Sequence, residues 1–172
     1  VSLGYYRNMS PNRVETSVEV YYKRIHNYLD YKSGAVLLMN ENIETDVLST
    51  RARAYGVELM AKKNTGKLNG WISYTLSKVQ QRTTGDETIN NGEYYNSNFD
   101  KPHNLTMVGN YRFTHRYSFS MNTTYSTGRP ITLPVAKYEF AGSERVFYSE
   151  RNKYRIPDFF RIDLSVNIEG NH

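Results

Sequence analysis

The stretch Tyr117-Ser118-Phe119-Ser120-Met121-Asn122-Thr123-Thr124-Tyr125 decides how this chain folds. Its odd positions are Tyr117, Phe119, Met121, Thr123 and Tyr125; its even positions are Ser118, Ser120, Asn122 and Thr124. Successive side chains of a β-strand point to opposite faces. One face is therefore apolar with aromatic ends, and the other is small and polar. Two settings suit such a strand: a half-buried soluble sheet, and a transmembrane barrel wall that turns its hydrophobic side outward.

The same alternation recurs on both sides of this stretch. A first strand carries Val1, Leu3 and Tyr5 and ends near Met9, where Ser10-Pro-Asn12 reads as a tight turn. The second sets Val14, Thr16, Val18, Val20 and Tyr22 against Glu15, Ser17, Glu19, Tyr21 and Lys23, with an extension through His26 to Tyr31. After a long polar connection to about Ser49, the third shows Tyr55, Val57, Leu59 and Ala61 against Gly56, Glu58, Met60 and Lys62. Asn64-Thr-Gly66 is a hairpin turn in which Gly is free to take φ > 0. The fourth sets Leu68, Gly70, Ile72, Tyr74 and Leu76 against Asn69, Trp71, Ser73, Thr75 and Ser77, and Trp71 is out of place on the polar side.

A second long polar loop runs from about Arg82 to Asp100, before a fifth strand carrying Leu105, Met107, Gly109, Tyr111 and Phe113. Thr114-His-Arg116 is a very short turn into the opening stretch, and a third long connection begins at Gly128-Arg-Pro130 and ends near Pro157. The seventh strand sets Phe160, Ile162, Leu164, Val166 and Ile168 against Arg161, Asp163, Ser165, Asn167 and Glu169. The expected fold is all-β: an antiparallel up-and-down meander of about seven strands. Lys137-Tyr-Glu-Phe140 and Arg145-Val-Phe-Tyr148 hold either a hidden eighth strand or a hairpin in an outer loop.

Two regularities favour the membrane setting. The strands have about the 9–11 residues a tilted strand needs to cross a bilayer. Connections alternate short and long, as in outer-membrane barrels, whereas connections in soluble folds are mostly a few residues at both ends. Mean hydropathy is −0.69, which fits strands that are half polar. Sixteen Tyr against one Trp suit an interface belt, with rings in lipid and hydroxyls in water. Glu15, Glu19, Glu58, Arg112, Arg161 and Asp163 all fall on polar-face positions. A lipid-facing charge near the midplane costs about 2–4 kcal/mol.

The chain has no Cys, so disulfides and thiolate chemistry are excluded. Net charge is +5, but the cations are scattered, which argues against nucleic acid. The chain starts at Val1 without a signal peptide and stops straight out of a strand, so a piece of a longer protein is expected. An odd, open sheet is not viable in lipid, where each unsatisfied backbone group costs several kcal/mol.

Four stretches carry a family resemblance: residues 56–77 (GVELMAKKNTGKLNGWISYTLS), 98–105 (NFDKPHNL), 126–134 (STGRPITLP) and 159–165 (FFRIDLS). As a set they resemble the late barrel strands of TonB-dependent outer-membrane receptors, particularly of the Bacteroidetes kind. The resemblance covers nearly the whole chain. It implies a segment of a 22-stranded transmembrane β-barrel with a plugged lumen, in the outer membrane of a Gram-negative bacterium. It implies active import of a scarce large nutrient: a siderophore, glycan or peptide. The implied partners are the plug domain of the same parent chain, TonB through an absent N-terminal part, and outer-membrane lipid and lipopolysaccharide. A surface lipoprotein is a further candidate partner. Two readings compete: a small structural or adhesive outer-membrane barrel, and a soluble β-sheet binding module.

Candidate site residues follow from the loops and the polar face. Tyr94, Tyr95 and Phe99 offer aromatics near a barrel mouth, and Arg129 offers a cation for an anionic ligand or a lipopolysaccharide phosphate. The alternatives are a Tyr belt beside a solvated loop, and an Arg129 paired with a neighbouring carboxylate. Glu58, Arg112, Arg161 and Asp163 are lumen- or plug-facing candidates, or else a mutual ion-pair ladder on the inner wall. His103 reads as a hydrogen-bonded structural residue, and the four His have no metal-ligand spacing. No catalytic set, metal site or cofactor is expected.

Overall fold

The structure is a computed structural model that describes residues 1–9, 13–35 and 40–170. The turn expected at Ser10–Asn12 lies outside the described residues. The dominant element is one sheet whose wall strands lie in the order β1 (Ser2–Met9), β2 (Val14–Tyr31), β3 (Val47–Lys63), β4 (Leu68–Thr83), β6 (His103–Arg112), β7 (Tyr117–Ser126) and β12 (Phe159–Ile168). Between them come β5 (Tyr95–Asn96), which pairs with β4, then β8 (Pro130–Ile131), β9 (Pro134–Phe140), β10 (Ser143–Tyr148) and β11 (Tyr154–Arg155). Every neighbouring pair is antiparallel, so the wall is a seven-strand meander.

Register aligns the alternation of the separate strands into continuous faces. One row runs Tyr125–Leu105–Tyr74–Leu59–Val18–Tyr5, with Phe160 beside Tyr125. Another runs Leu164–Met121–Gly109–Gly70. The opposite face carries Asp163–Asn122–Val108–Trp71–Lys62–Glu15. Trp71 is therefore not isolated on the polar face: Val108 is its cross-strand neighbour, and such aromatic–β-branched pairs stabilise a sheet.

The strands differ in height; the extension of β2 to Tyr31 was expected from the sequence, whereas the full lengths of β3 and β4 were not. β6, β7 and β12 have 10 residues each, whereas β2, β3 and β4 have 18, 17 and 16. β3 begins at Val47, close to the end of the expected connection near Ser49 but eight residues before the first alternating apolar residue, Tyr55, and β4 continues past Ser77 to Thr83. The extensions carry Arg51, Arg53, Gln80 and Arg82, where the apolar alternation has stopped; of these the sequence placed Arg82 at the start of a loop and gave the others to no strand. Their ladder pairing nevertheless persists through Arg53↔Gln80, Arg51↔Arg82 and Thr50↔Thr83. A bulge between Ile25 and Tyr28, with Asn27 at φ 56, re-aims the top of β2.

The connections alternate as expected. Residues 64–67 and 113–116 are short, whereas 32–46, 84–102 and 127–158 are long. The Ala136–Tyr148 segment is not an eighth wall strand: β9 and β10 form a separate hairpin within the third long connection.

Single-layer construction leaves little conventional core. Large apolar side chains from every wall strand are exposed, Leu3, Val20, Leu59, Ile72, Leu164 and Val166 among them. The buried cluster lies at the long-loop end, on the polar face of the tall strands. It contains Thr50, Ala52, Gln81, Thr83, Ile89, Tyr95, Ser97, Asp100, Pro130 and Asn152.

Candidate functional site

The apolar face is bordered by aromatics at both ends. Tyr22, Tyr55, Tyr74, Tyr125 and Phe160 mark the long-loop border. Tyr111, Phe113, Tyr117 and Phe119 mark the other, with Tyr111 and Phe113 edge-to-face at 4.8 Å. The long-loop tyrosines turn their hydroxyls to polar partners. Tyr125 donates to Asp158 (2.6 Å), Tyr74 meets His103 Nδ1 (2.8 Å), and Tyr22 accepts from Arg24 (3.0 Å). A ring on the apolar band with its hydroxyl engaged beyond it is the amphipathic posture of an interface residue. His103 is thus the hydrogen-bonded structural residue the sequence suggested. Between the two borders the apolar face carries two charges, Arg7, two positions from the end of β1, and Lys63, the last residue of β3, each within reach of the polar side for a long cation.

At the long-loop end, two polar nodes tie the loops to the tall strands. The first is Asp30 at the top of β2. One carboxylate oxygen accepts from Tyr95 Oη (2.6 Å) and Gln81 Nε2 (2.7 Å), and the other from Arg151 Nη1 (3.2 Å). Arg151 also donates to the carbonyl of Tyr31 (2.8 Å), and its backbone exchanges hydrogen bonds with the Asn90 amide. Asn152 Nδ2 donates to the carbonyl of Asn96 (2.7 Å). One strand top and two loops are so joined. Burial, then the bond to Asp30, pushes the Tyr95 hydroxyl well above the ordinary phenol range, so it acts as a donor.

The second node is Asp100, whose side chain is fully buried. It accepts from the Val79 backbone N–H (2.7 Å) and from Lys78 Nζ (3.3 Å), and pairs closely with Arg155 Nη2. Arg155 Nη1 meanwhile donates to the carbonyls of Asp100 (2.7 Å) and Gly128 (2.9 Å). Gly128 is demanded by this packing, because a Cβ there would stand 1.8 Å from the Ile156 carbonyl oxygen. The Gly128 N–H donates to Asp158 (2.9 Å). The Tyr125 hydroxyl first, and this N–H second, hold the Asp158 carboxyl below the usual carboxylate range.

The four loop residues singled out in the sequence do not converge. Tyr94 and Tyr95 occupy opposite faces, since Tyr95 pairs with Gln81 in β5 and the alternation continues through it. Tyr95 is buried in the Asp30 node and offers no free surface. Tyr94 lies against Arg53 (3.9 Å from Cζ to ring centroid) and Arg82 (5.0 Å). Phe99 and Arg129 are exposed.

On the polar face, Arg161 and Asp163 form an ion pair at 2.9 Å along one strand. Glu58 stands in register with Glu19, and Arg112 with Ser118. No cross-strand ion-pair ladder links these four among the described residues. Like charges directly opposite oppose strand pairing, so the Glu19–Glu58 row is not there for the sheet's own stability. Asp30, Gln81, Arg151 and Arg155 were absent from the sequence-based candidates. They meet across separations of up to 121 residues, which leave no local signal. No group of three or more His, Asp or Glu side chains among the described residues is arranged to hold a metal ion.

Neither a curated protein nor a solved structure matches this chain. The model of the TonB dependent receptor-like β-barrel matches residues 1–171, essentially the whole length. The chain therefore belongs to the TonB-dependent receptor β-barrel family of the Gram-negative outer membrane.

Proposed function

We propose that this chain forms wall and outer rim in an active importer of a scarce, large nutrient: a siderophore, a glycan or a peptide. The family's work is TonB-dependent transport across the outer membrane, with a plug domain inside the barrel and TonB as the energising partner. In this frame the apolar face meets lipid, the polar face meets lumen and plug, and the long-loop end is extracellular. β1 and β12 then pair with further strands of the same receptor, because open edges are not viable in lipid. The Bacteroidetes type rests on the four quoted sequence stretches alone.

The observation that carries the reading is the tied rim. The Asp30 and Asp100 nodes fix two long loops at one end of the sheet. A mouth held this way meets a ligand with much of its loop-ordering entropy already paid. Phe99 and Arg129 project from those loops and are the ligand contacts we assign; Glu58, Arg112, Arg161 and Asp163 are assigned to the lumen. No catalytic step is assigned to any residue. The β9–β10 hairpin, with Val135, Tyr138, Phe140 and Phe147 exposed, is the surface assigned to a lipoprotein partner.

The test is uptake by cells lacking the receptor gene, across a panel of labelled siderophores, oligosaccharides and peptides. One class of ligand should lose energy-dependent uptake. Complementation with the Phe99→Ala/Arg129→Ala receptor should restore it only in part. Unchanged uptake of every class in the deletion strain would overturn the reading.

A further inference from the structure

We infer that the apolar side of the tall strands carries a binding site for a phosphorylated glycolipid head group of the outer leaflet. The inference rests on the membrane orientation above. Four arginines gather where β2, β3 and β4 rise beyond the aromatic border. Arg24 is in register with Arg53, and Arg51 with Arg82, so two cationic rows follow directly on the Tyr22–Tyr55 row. The strand alternation puts all four on the face that bears Val20, Val57 and Leu76. This is the height at which lipid head groups lie, and the side from which lipid approaches.

The patch is not neutralised from within. None of the four arginines has a carboxylate at ion-pair distance among the described residues. Their partners are neutral. Arg24 Nε donates to the Tyr22 hydroxyl, with the guanidinium 5.6 Å from that ring. Arg53 gives Nε and Nη2 to Gln80 Oε1 at 3.1 and 2.8 Å. Arg53 and Arg82 share the Tyr94 ring. Arg82 Nε is buried with no hydrogen-bond partner, although a buried donor left unmet is costly. Four close cations that repel one another, one with an unmet donor, call for an anion with several oxygens.

Chemistry selects phosphate on a lipid. Guanidinium forks match phosphate oxygens in pairs, and stacking on Tyr22 and Tyr94 holds the planes in place. An acyl chain below such a head group would lie on the apolar band, beginning at Tyr22 and Tyr55, whose rings stack at 6.4 Å. A soluble anion gains nothing from that band. The arrangement also gives Tyr94 a role: it steadies two arginines on the lipid side, away from the lumen.

The test uses the full receptor purified in detergent, with binding followed by native mass spectrometry and by retained lipid phosphate. The probes are purified lipopolysaccharide, the same material after enzymatic dephosphorylation, and inorganic phosphate. Lipopolysaccharide should bind the unaltered receptor, and dephosphorylation should weaken binding by about tenfold or more. Inorganic phosphate at millimolar concentration should not displace it. The R24Q/R51Q/R53Q/R82Q receptor should lose binding to the same degree, whereas R145Q/K153Q, which alters loop cations elsewhere, should not. Equal binding of phosphorylated and dephosphorylated lipid by the unaltered receptor overturns the inference without any variant. So does equal binding by the quadruple variant, or displacement by inorganic phosphate. Fractionation of the receptor outside the outer membrane would overturn the orientation itself, a separate failure.

Discussion

Asp100 combines a fully buried carboxylate with two cations from different parts of the chain. Its value is positional. Lys78 and the Val79 amide belong to β4, Arg155 to β11, and Arg155 in turn holds the Gly128 carbonyl. Asp100→Ala removes the carboxylate and leaves both cations facing a gap. Breaking a buried pair costs about 3–5 kcal/mol, and the lower end applies because Lys78 and Arg155 are partly in water. The loss should fall on the loops while the membrane wall keeps its ladder. Amide exchange should therefore quicken at Val79 and across residues 127–158 in Asp100→Ala, with β7 and β12 still protected. Unchanged exchange in the loops would show that Asp100 is not their anchor. Asp100 was legible as part of the NFDKPHN stretch, but its role was not, because Arg155 is 55 residues away. Tyr95 shows the opposite limit: its type suggested ligand stacking, whereas a two-residue strand turned it inward to Asp30.

For a strand, the unit of meaning is the face. Met121, Leu164 and Gly109 are cross-strand neighbours on the apolar side, whereas Asn122 stands opposite Asp163 on the polar side. A charge on the lipid face near the midplane costs about 2–4 kcal/mol, and the lumen tolerates it. Met121→Arg or Leu164→Arg should lower the amount of folded, outer-membrane receptor; Asn122→Arg should not, since Asp163 is at hand. Heat-modifiable gel migration of fractionated membranes reads this directly. Equal tolerance of all three would reverse or abolish the assignment of faces. All seven wall strands were legible because a wall with one apolar and one polar face, as the proposed membrane orientation requires, keeps a strict two-residue period. The same logic explains where legibility stopped. In the proposed orientation acyl chains end at the belt, so above it Arg51, Arg53, Gln80 and Arg82 no longer alternate in polarity, although their backbones remain paired. The β9–β10 hairpin was visible from Lys137-Tyr-Glu-Phe140, but pairing partners, which strand composition does not encode, decided that it stays outside the wall.

At the scale of the whole molecule, the sheet is held by its ladders and by what its faces touch. An exposed apolar face in water and two unpaired edges in lipid are both costly, and neither is remedied within the described residues. β1 pairs only with β2 and β12 only with β7, so the far edge of each presents a row of backbone groups to its surroundings. With each unmet group in hydrocarbon costing several kcal/mol, ten-residue β12 would face a penalty far above the roughly 5–15 kcal/mol that stabilises ordinary domains. Residues 1–172 expressed alone should therefore not insert as a protected monomer. In lipid vesicles they should remain protease-sensitive or associate through the β1 and β12 edges. The same residues within the full receptor should be protected except at the loops. Limited proteolysis with mass mapping, run on both preparations side by side, decides it. A protease-resistant monomer of the isolated chain would mean that its edges close on each other, and that the wall is a small barrel in its own right rather than an arc of a larger one.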